Sequence, residues 1–162
     1  VAVDPKILLE NREGDYIINN NVWSNFNQMY KKNDKIMNHV QFFQPSLGWS
    51  SGPTALKYAA EHKPRKIYIL GFDYQGHNDK QRKIFNNLFK DTRNYKKSTE
   101  EATFFGNWLN QTKRVLKDYP DTEFCRVVPK EWFKPKDLEW NKNLKHVHID
   151  EFLRLYNLKI KM

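Results

Sequence analysis

Two short segments carry the residue types that phosphate and nucleotide chemistry requires. Gly48-Trp49-Ser50-Ser51-Gly52 sets small residues and two hydroxyls directly before an Ala-containing apolar run. At the start of a helix, backbone N–H groups and the positive end of the helix dipole together hold a phosphate. The same residues also fit an ordinary Ser N-cap after a turn. The second segment, Leu70-Gly71-Phe72-Asp73-Tyr74-Gln75-Gly76-His77, closes the most apolar run in the chain. An acid and a phenol leaving a buried strand stand where a ribose, a base or a reacting hydroxyl is bound, and Gly71 and Gly76 give the backbone room to approach it. Asp73 as a plain turn cap is the alternative.

Three further features are weaker. From Lys80 to Lys97 the chain carries Lys80, Arg82, Lys83, Lys90, Arg93, Lys96 and Lys97 against one acid, Asp91, with Phe85, Phe89 and Tyr95 interleaved. Cations between aromatic rings neutralise phosphates and stack bases, as in single-strand binders, although a solvated excursion over a sheet edge has the same composition. His146-x-His148 followed by Asp150 and Glu151 puts two imidazoles on one side of a strand, but no third ligand stands at a convincing spacing, so no metal is expected. Cys125, alone and within an apolar run, reads as buried and inert, and no Cys, His and Asp set for nucleophilic catalysis is recognisable.

The elements that must position these residues alternate. Asp15 to Ile18 and His39 to Phe43 are short strand-like runs, with helical spacing of Trp23, Phe26 and Tyr30 between them. Gly52 to His62 reads as a helix, with Ser50 or Ser51 as N-cap and Pro53 in the first turn. Lys66 to Phe72 is a nearly continuous apolar strand, of the kind covered on both faces in a parallel sheet. Ser98-Thr99-Glu100-Glu101 has the form of a capping box and predicts a helix from Ser98 to Tyr119, ended by Pro120. Glu123 to Val128 is the next strand; after Pro129 the tail is irregular until a short helix after Asp150. This order predicts an α/β fold, a mainly parallel sheet flanked by helices and Rossmann-like. In such a sheet, ligands bind beyond the carboxyl ends of the strands, where both phosphate-type segments lie.

A chain of 162 residues suits one domain, and with no repeat or Gly/Ser/Pro linker the whole of 1–162 reads as a single unit. It holds 28 basic against 19 acidic residues, a formal charge of +9, which attracts anions of some kind and says nothing of fold. Lys outnumbers Arg, and Asn, Ile, Phe and Tyr are frequent, a bias that an AT-rich genome produces, so part of the charge is compositional. No run of apolar residues is long enough for a membrane span. The single cysteine and the lack of a charged-then-apolar leader point to a reducing cytoplasmic setting. The chain opens on Val1 rather than Met, as if in mid-fold, which suggests an opening strand and helix upstream.

Ser50-Ser51-Gly52, the helix after it, and Lys66-Ile67-Tyr68-Ile69-Leu70-Gly71-Phe72-Asp73-Tyr74 together resemble the core of the bacterial lipooligosaccharide sialyltransferases of glycosyltransferase family 42, and still more the sialyltransferase-like proteins of marine phages. The resemblance runs from about Gly48 to Pro129. It implies a site for a nucleotide or a CMP-type nucleotide sugar, with Ser50, Ser51 and Gly52 at the phosphate or sugar and Gly71, Asp73 and Tyr74 lining the nucleotide pocket. It also implies a role for Tyr95 as a hydrogen-bond donor to the departing phosphate. The reaction implied is inverting transfer to an acceptor glycan without a metal, a base taking the acceptor proton while hydroxyls steady the leaving CMP.

Two departures qualify what the resemblance implies. The family has a His three residues after the counterpart of Tyr95, where this chain has Ser98, a residue with no useful basicity near neutral pH. Either the alignment shifts, or His77 takes the role of base, or the transferase activity is absent. The Gly-Asn-Gly loop and early Asn with which the enzymes open have no counterpart here. The competing reading is a catalytically inactive interaction protein of the same fold, associated with a virion or with nucleic acid through Lys80 to Lys97.

Overall fold

The structure is a computed structural model. It describes residues 1, 4–9, 14–30, 39–42, 47–75, 77–79, 82–85, 87, 89–102, 104–139 and 141–158, with the backbone alone at 77–79, 82 and 83. Strand β1 (Tyr16–Ile18) leads into helix α1 (Asn20–Met29), and β2 (Val40–Phe42) runs parallel to β1, with Ile18 opposite Phe42. Val22 and Phe26, four residues apart and so on one face of α1, pack with Ile18 and with Leu8 of the 3-10 turn Pro5–Leu9 into a small buried cluster.

A larger assembly follows. Helix α2 (Ser51–Glu61) precedes β3 (Lys66–Ile69); a short antiparallel hairpin of β4 (His77–Asp79) and β5 (Arg82–Ile84) leads on toward α3 (Gly106–Asp118). Then come β6 (Glu123–Val128), β7 (Leu144–His148) and helix α4 (Ile149–Leu155). Strands β3, β6 and β7 form one parallel sheet in that order. Residues in register point to the same side, so Ile67, Phe124 and Leu144 face one way and Tyr68, Cys125 and Lys145 the other.

The first face is buried under α2 and α3, whose Leu56, Ala60, Leu109, Val115 and Leu116 complete the main core with Phe124. On the second face Glu123 lies between Lys66 at 2.8 Å and Lys145 at 2.7 Å, spanning all three strands. Those two ammonium groups, Lys145 foremost, hold its carboxyl down to about 2. Cys125 is buried beside it, its thiol pushed up by burial. Helix α4 covers this face, Phe152 and Tyr156 closing on the Tyr68 ring. The molecule is thus α/β as expected, two small parallel sheets flanked by helices, consistent with a partial Rossmann-like arrangement. Among the described residues no helix is long and apolar enough to cross a membrane.

Three local expectations are corrected. The strand expected to reach Phe72 leaves the ladder after Ile69, because Gly71 at φ +76° turns the chain out of the sheet. The helix expected from Ser98 starts only at Gly106. Ser98 gives its N–H and hydroxyl to the Asp91 carboxylate, at 2.8 and 3.1 Å, and Glu100 and Glu101 extend the β5 edge, with Phe85 N–H on the Glu100 carbonyl at 2.8 Å. A backbone already committed to a strand edge cannot continue as helix. Finally, the tail taken as irregular contains β7, five residues in register with β6 from Phe124–Leu144 to Val128–His148.

Candidate functional site

Where β1 gives way to α1, Asn19 begins the helix by accepting the Val22 N–H on its side-chain oxygen at 3.0 Å. Across from it the chain enters α2 through Leu47, Gly48 and Trp49, Gly48 taking a left-handed φ of +63°. Between these helix starts lies a cleft of about 320 Å³. One wall presents the carboxamides of Asn19, Asn21 and Asn25 with Val22, and the other presents Leu47, Gly48, Trp49 and Thr54. No charged side chain is among these lining residues.

The α2 wall leaves hydrogen-bonding capacity open. Ser50 makes no side-chain cap, and its own N–H is spent on Gln111 Oε1 of α3 at 3.0 Å. Pro53 brings no N–H, so the donors of the first turn are those of the exposed Ser51 and of Gly52; with Ser50, these expected phosphate residues flank the cleft in sequence but are not among its lining residues. Thr54 is 2% exposed, and its hydroxyl finds no hydrogen-bond partner among the described residues, although its N–H reaches the Ser50 carbonyl at 3.1 Å. A buried hydroxyl left unbonded costs about 1–3 kcal/mol, and this one belongs to a residue lining the cleft. Trp49 has the Arg114 guanidinium 5.7 Å from its ring centroid.

The structure joins the two phosphate-type segments at one point. The Phe72 ring lies on Gly52, so close that a Cβ there would come within 3.0 Å of Phe72 Cζ. Gly71 is exposed on the turn out of β3, and Asp73 is half-buried with its carbonyl bonded by Arg126. Tyr74 corrects the expectation of a pocket-lining phenol. It is 3% exposed, belongs to the main core and donates its hydroxyl to Thr112 Oγ1 at 2.8 Å, and burial pushes it up to about 12.

Of the expected catalytic pair, Tyr95 is not among the described residues that line the cleft. His77 lies in β4, its backbone opposite Ile84 of β5, and its side chain is outside the described residues, as is Gly76. Tyr95 sits in the turn between β5 and α3, its ring 5.6 Å from that of Phe89. The basic stretch around it is a set of turns, Asp91 N–H reaching the Lys96 carbonyl at 3.0 Å, with Lys90, Arg93, Lys96 and Lys97 exposed; Lys80 is outside the described residues. His146 and His148 lie on β7 as the spacing implied, and among the described residues no group of three His, Cys, Asp or Glu side chains could hold a metal ion.

Sequence reasoning missed the residue that organises the carboxyl edge of the sheet. Arg126 of β6 is 3% exposed and donates Nε to the Phe72 carbonyl at 2.6 Å, Nη1 to Phe133 at 2.8 Å and Nη2 to Asp73 at 3.1 Å. Its guanidinium lies 5.2 Å from the Tyr74 ring and 5.8 Å from Trp132, an arrangement that keeps a buried cation satisfied. The available signal was a lone Arg inside Glu123-Phe124-Cys125-Arg126-Val127-Val128, a strand buried from Phe124 onward.

His146 stands opposite Arg126 in the ladder and 4.5 Å from the Trp132 ring, with Nδ1 buried and without a partner among the described residues. Burial, then Arg126 and Lys134, brings its pKa down to about 4. The unfolded chain takes up this proton near pH 6.5 and the folded chain only near 4, so the contribution of this residue falls as pH drops through that window and changes no further below it. After allowance for water at its exposed side, the loss is about 1–2 kcal/mol. His146→Phe should flatten that part of a urea-midpoint profile; an unchanged slope between pH 6.5 and 4 would contradict the assignment.

Set against known proteins, the chain matches no family model, no curated protein and no solved structure.

Proposed function

We propose that this chain binds a nucleotide or nucleotide sugar of the CMP-sugar kind, held in the cleft between the starts of α1 and α2. The observation that carries this reading is the wall of α2: an uncapped helix start beside Thr54, whose buried hydroxyl has no partner among the described residues. Each helix start contributes roughly half a positive charge, and no lysine or arginine is among the described residues that line the cleft. That balance suits one negative charge, such as the phosphodiester of a CMP-sugar, better than a di- or triphosphate. The asparagine wall supplies neutral donors and acceptors for base or sugar hydroxyls. Transfer of the sugar to an acceptor glycan is the reaction the family resemblance implies. The described lining residues hold no carboxylate or imidazole to act as base, so binding is the part we assign to the cleft. The lone buried Cys125 fits a reducing cytoplasm, that of the host for a phage protein.

Calorimetry with CMP, CDP, UMP and GMP tests the reading. CMP should bind, and Asn25→Ala should weaken it about 3–10-fold, the worth of one neutral hydrogen bond. Thr54→Val should also weaken binding while leaving the free protein at least as stable, because it removes a polar group that lacks a partner. Absence of heat with all four ligands at millimolar concentration overturns the proposal.

A further inference from the structure

A second concavity, of about 290 Å³, opens at the opposite edge of the three-stranded sheet, where α3 ends and β7 begins. Leu116 and Pro120 give it an apolar floor, and Lys113, Lys117 and Lys142 stand around it. All three lysines are exposed. Among the described residues they meet no carboxylate within ion-pair distance, whereas Lys57, Lys66, Lys134 and Lys145 each reach a glutamate and Arg114 reaches Asp118 on the same helix. Nor does the end of α3 need them. The Asn143 amide already bonds the carbonyls of Leu116 and Tyr119, at 2.9 and 3.1 Å.

Three like charges around one hollow repel each other and raise the local potential, and a chain of anions relieves both. The amide of Asn141 donates to Leu138 and that of Asn143 to α3, so the three ammonium groups are the charged donors that a ligand meets here. They act as point charges that grip phosphate oxygens without reading a base. An acidic peptide is the other polyanion of matching charge, and competition with oligoglutamate separates the two. A hollow this small admits an extended strand, whereas a duplex would touch only its rim.

We propose that this groove binds the phosphodiester backbone of single-stranded nucleic acid without sequence preference. The site is distinct from the cleft at α1 and α2 and from the basic turns after β5. Fluorescence anisotropy with a labelled oligothymidylate over a range of salt concentrations tests it on the full chain. With about 0.7 of slope per phosphate contact, K113A/K117A/K142A should lower the slope of log affinity against log salt by about 2 and weaken low-salt binding about 10-fold. The charge-matched K90A/K96A/K97A should change the slope less than half as much. Equal effects of the two triple variants would overturn the proposal. So would a parent chain that fails to bind at low salt, or displacement by oligoglutamate as effective as by oligothymidylate.

Discussion

Arg126→Met is expected to lower the stability of the fold by about 3 kcal/mol, more than any other single side-chain change in the β6 and β7 strands outside the apolar core. The substitution keeps the length of the stem and removes the donors, so the carbonyls of Phe72, Asp73 and Phe133 lose their bonds together. Each of these part-buried carbonyls left bare costs at most about 1–3 kcal/mol, and relief from burying a cation offsets part of the sum. Arg126→Lys should recover little, because one ammonium cannot reproduce the fork that reaches three carbonyls belonging to two loops. Urea titration monitored by tryptophan fluorescence gives the answer. An Arg126→Met midpoint equal to that of the parent would show that water replaces the guanidinium at no cost. Since Arg126 ties the turn that sets Phe72 on Gly52, the same variant should weaken CMP binding even under conditions where the protein remains folded.

The second large effect is expected at Asn143. Its amide reaches the carbonyls of Leu116, Tyr119 and Thr122 at 2.9, 3.1 and 3.3 Å, and so closes the carboxyl end of α3 from the strand that follows in space. Asn143→Ala removes this closure and should cost about 2 kcal/mol, which for a chain of this size lowers Tm by about 4–8 °C. Asn143→Asp keeps the shape but turns an acceptor toward three acceptors, and should be worse than alanine above the carboxyl's pKa. Differential scanning calorimetry at neutral pH ranks the two. An aspartate variant as stable as the parent would mean that the amide does not hold the helix end.

Much of the scaffold is legible in the residues alone, for a local reason. Glu123 to Val128 and Lys66 to Ile69 are apolar runs bounded by proline or glycine, and the helix starting at Ser51 has its Ser and Pro where a first turn tolerates them. The capping box at Ser98 misleads because its meaning depends on a distant competitor. Asp91 captures the serine, and β5 takes the backbone of Glu100 that a helix would need. Strand β7 is hard to see because Leu144-Lys145-His146-Val147-His148 is half-buried rather than apolar, and only its register with β6 makes it a strand.

The cleft follows the same logic. Of the segment Gly48 to Gly52 singled out in the sequence, Gly48 and Trp49 line its α2 wall, whereas Ser50, Ser51 and Gly52 are not among the lining residues. Its α1 wall was not legible, because Asn19, Asn21 and Asn25 read as plain polar residues until the fold sets them opposite Thr54. Tyr74 failed in the other direction: a residue just past a strand end belongs to the core when Thr112 offers its hydroxyl a partner.

The cleft also lies on a seam. Val22 on one side belongs to the cluster of Leu8, Ile18 and Phe26, while Trp49 on the other packs against the cluster of Leu56, Phe124 and Leu116. These are separate hydrophobic clusters, each with its own parallel sheet. Widening the gap between them exposes the edge of each side rather than its centre, Val22 at 5% exposure on one and Thr54 at 2% on the other, so the work of admitting a guest is confined to those edges. A molecule bridging the asparagines to Thr54 would act as a clasp between two bodies, and amide exchange should slow on both sides of it at once.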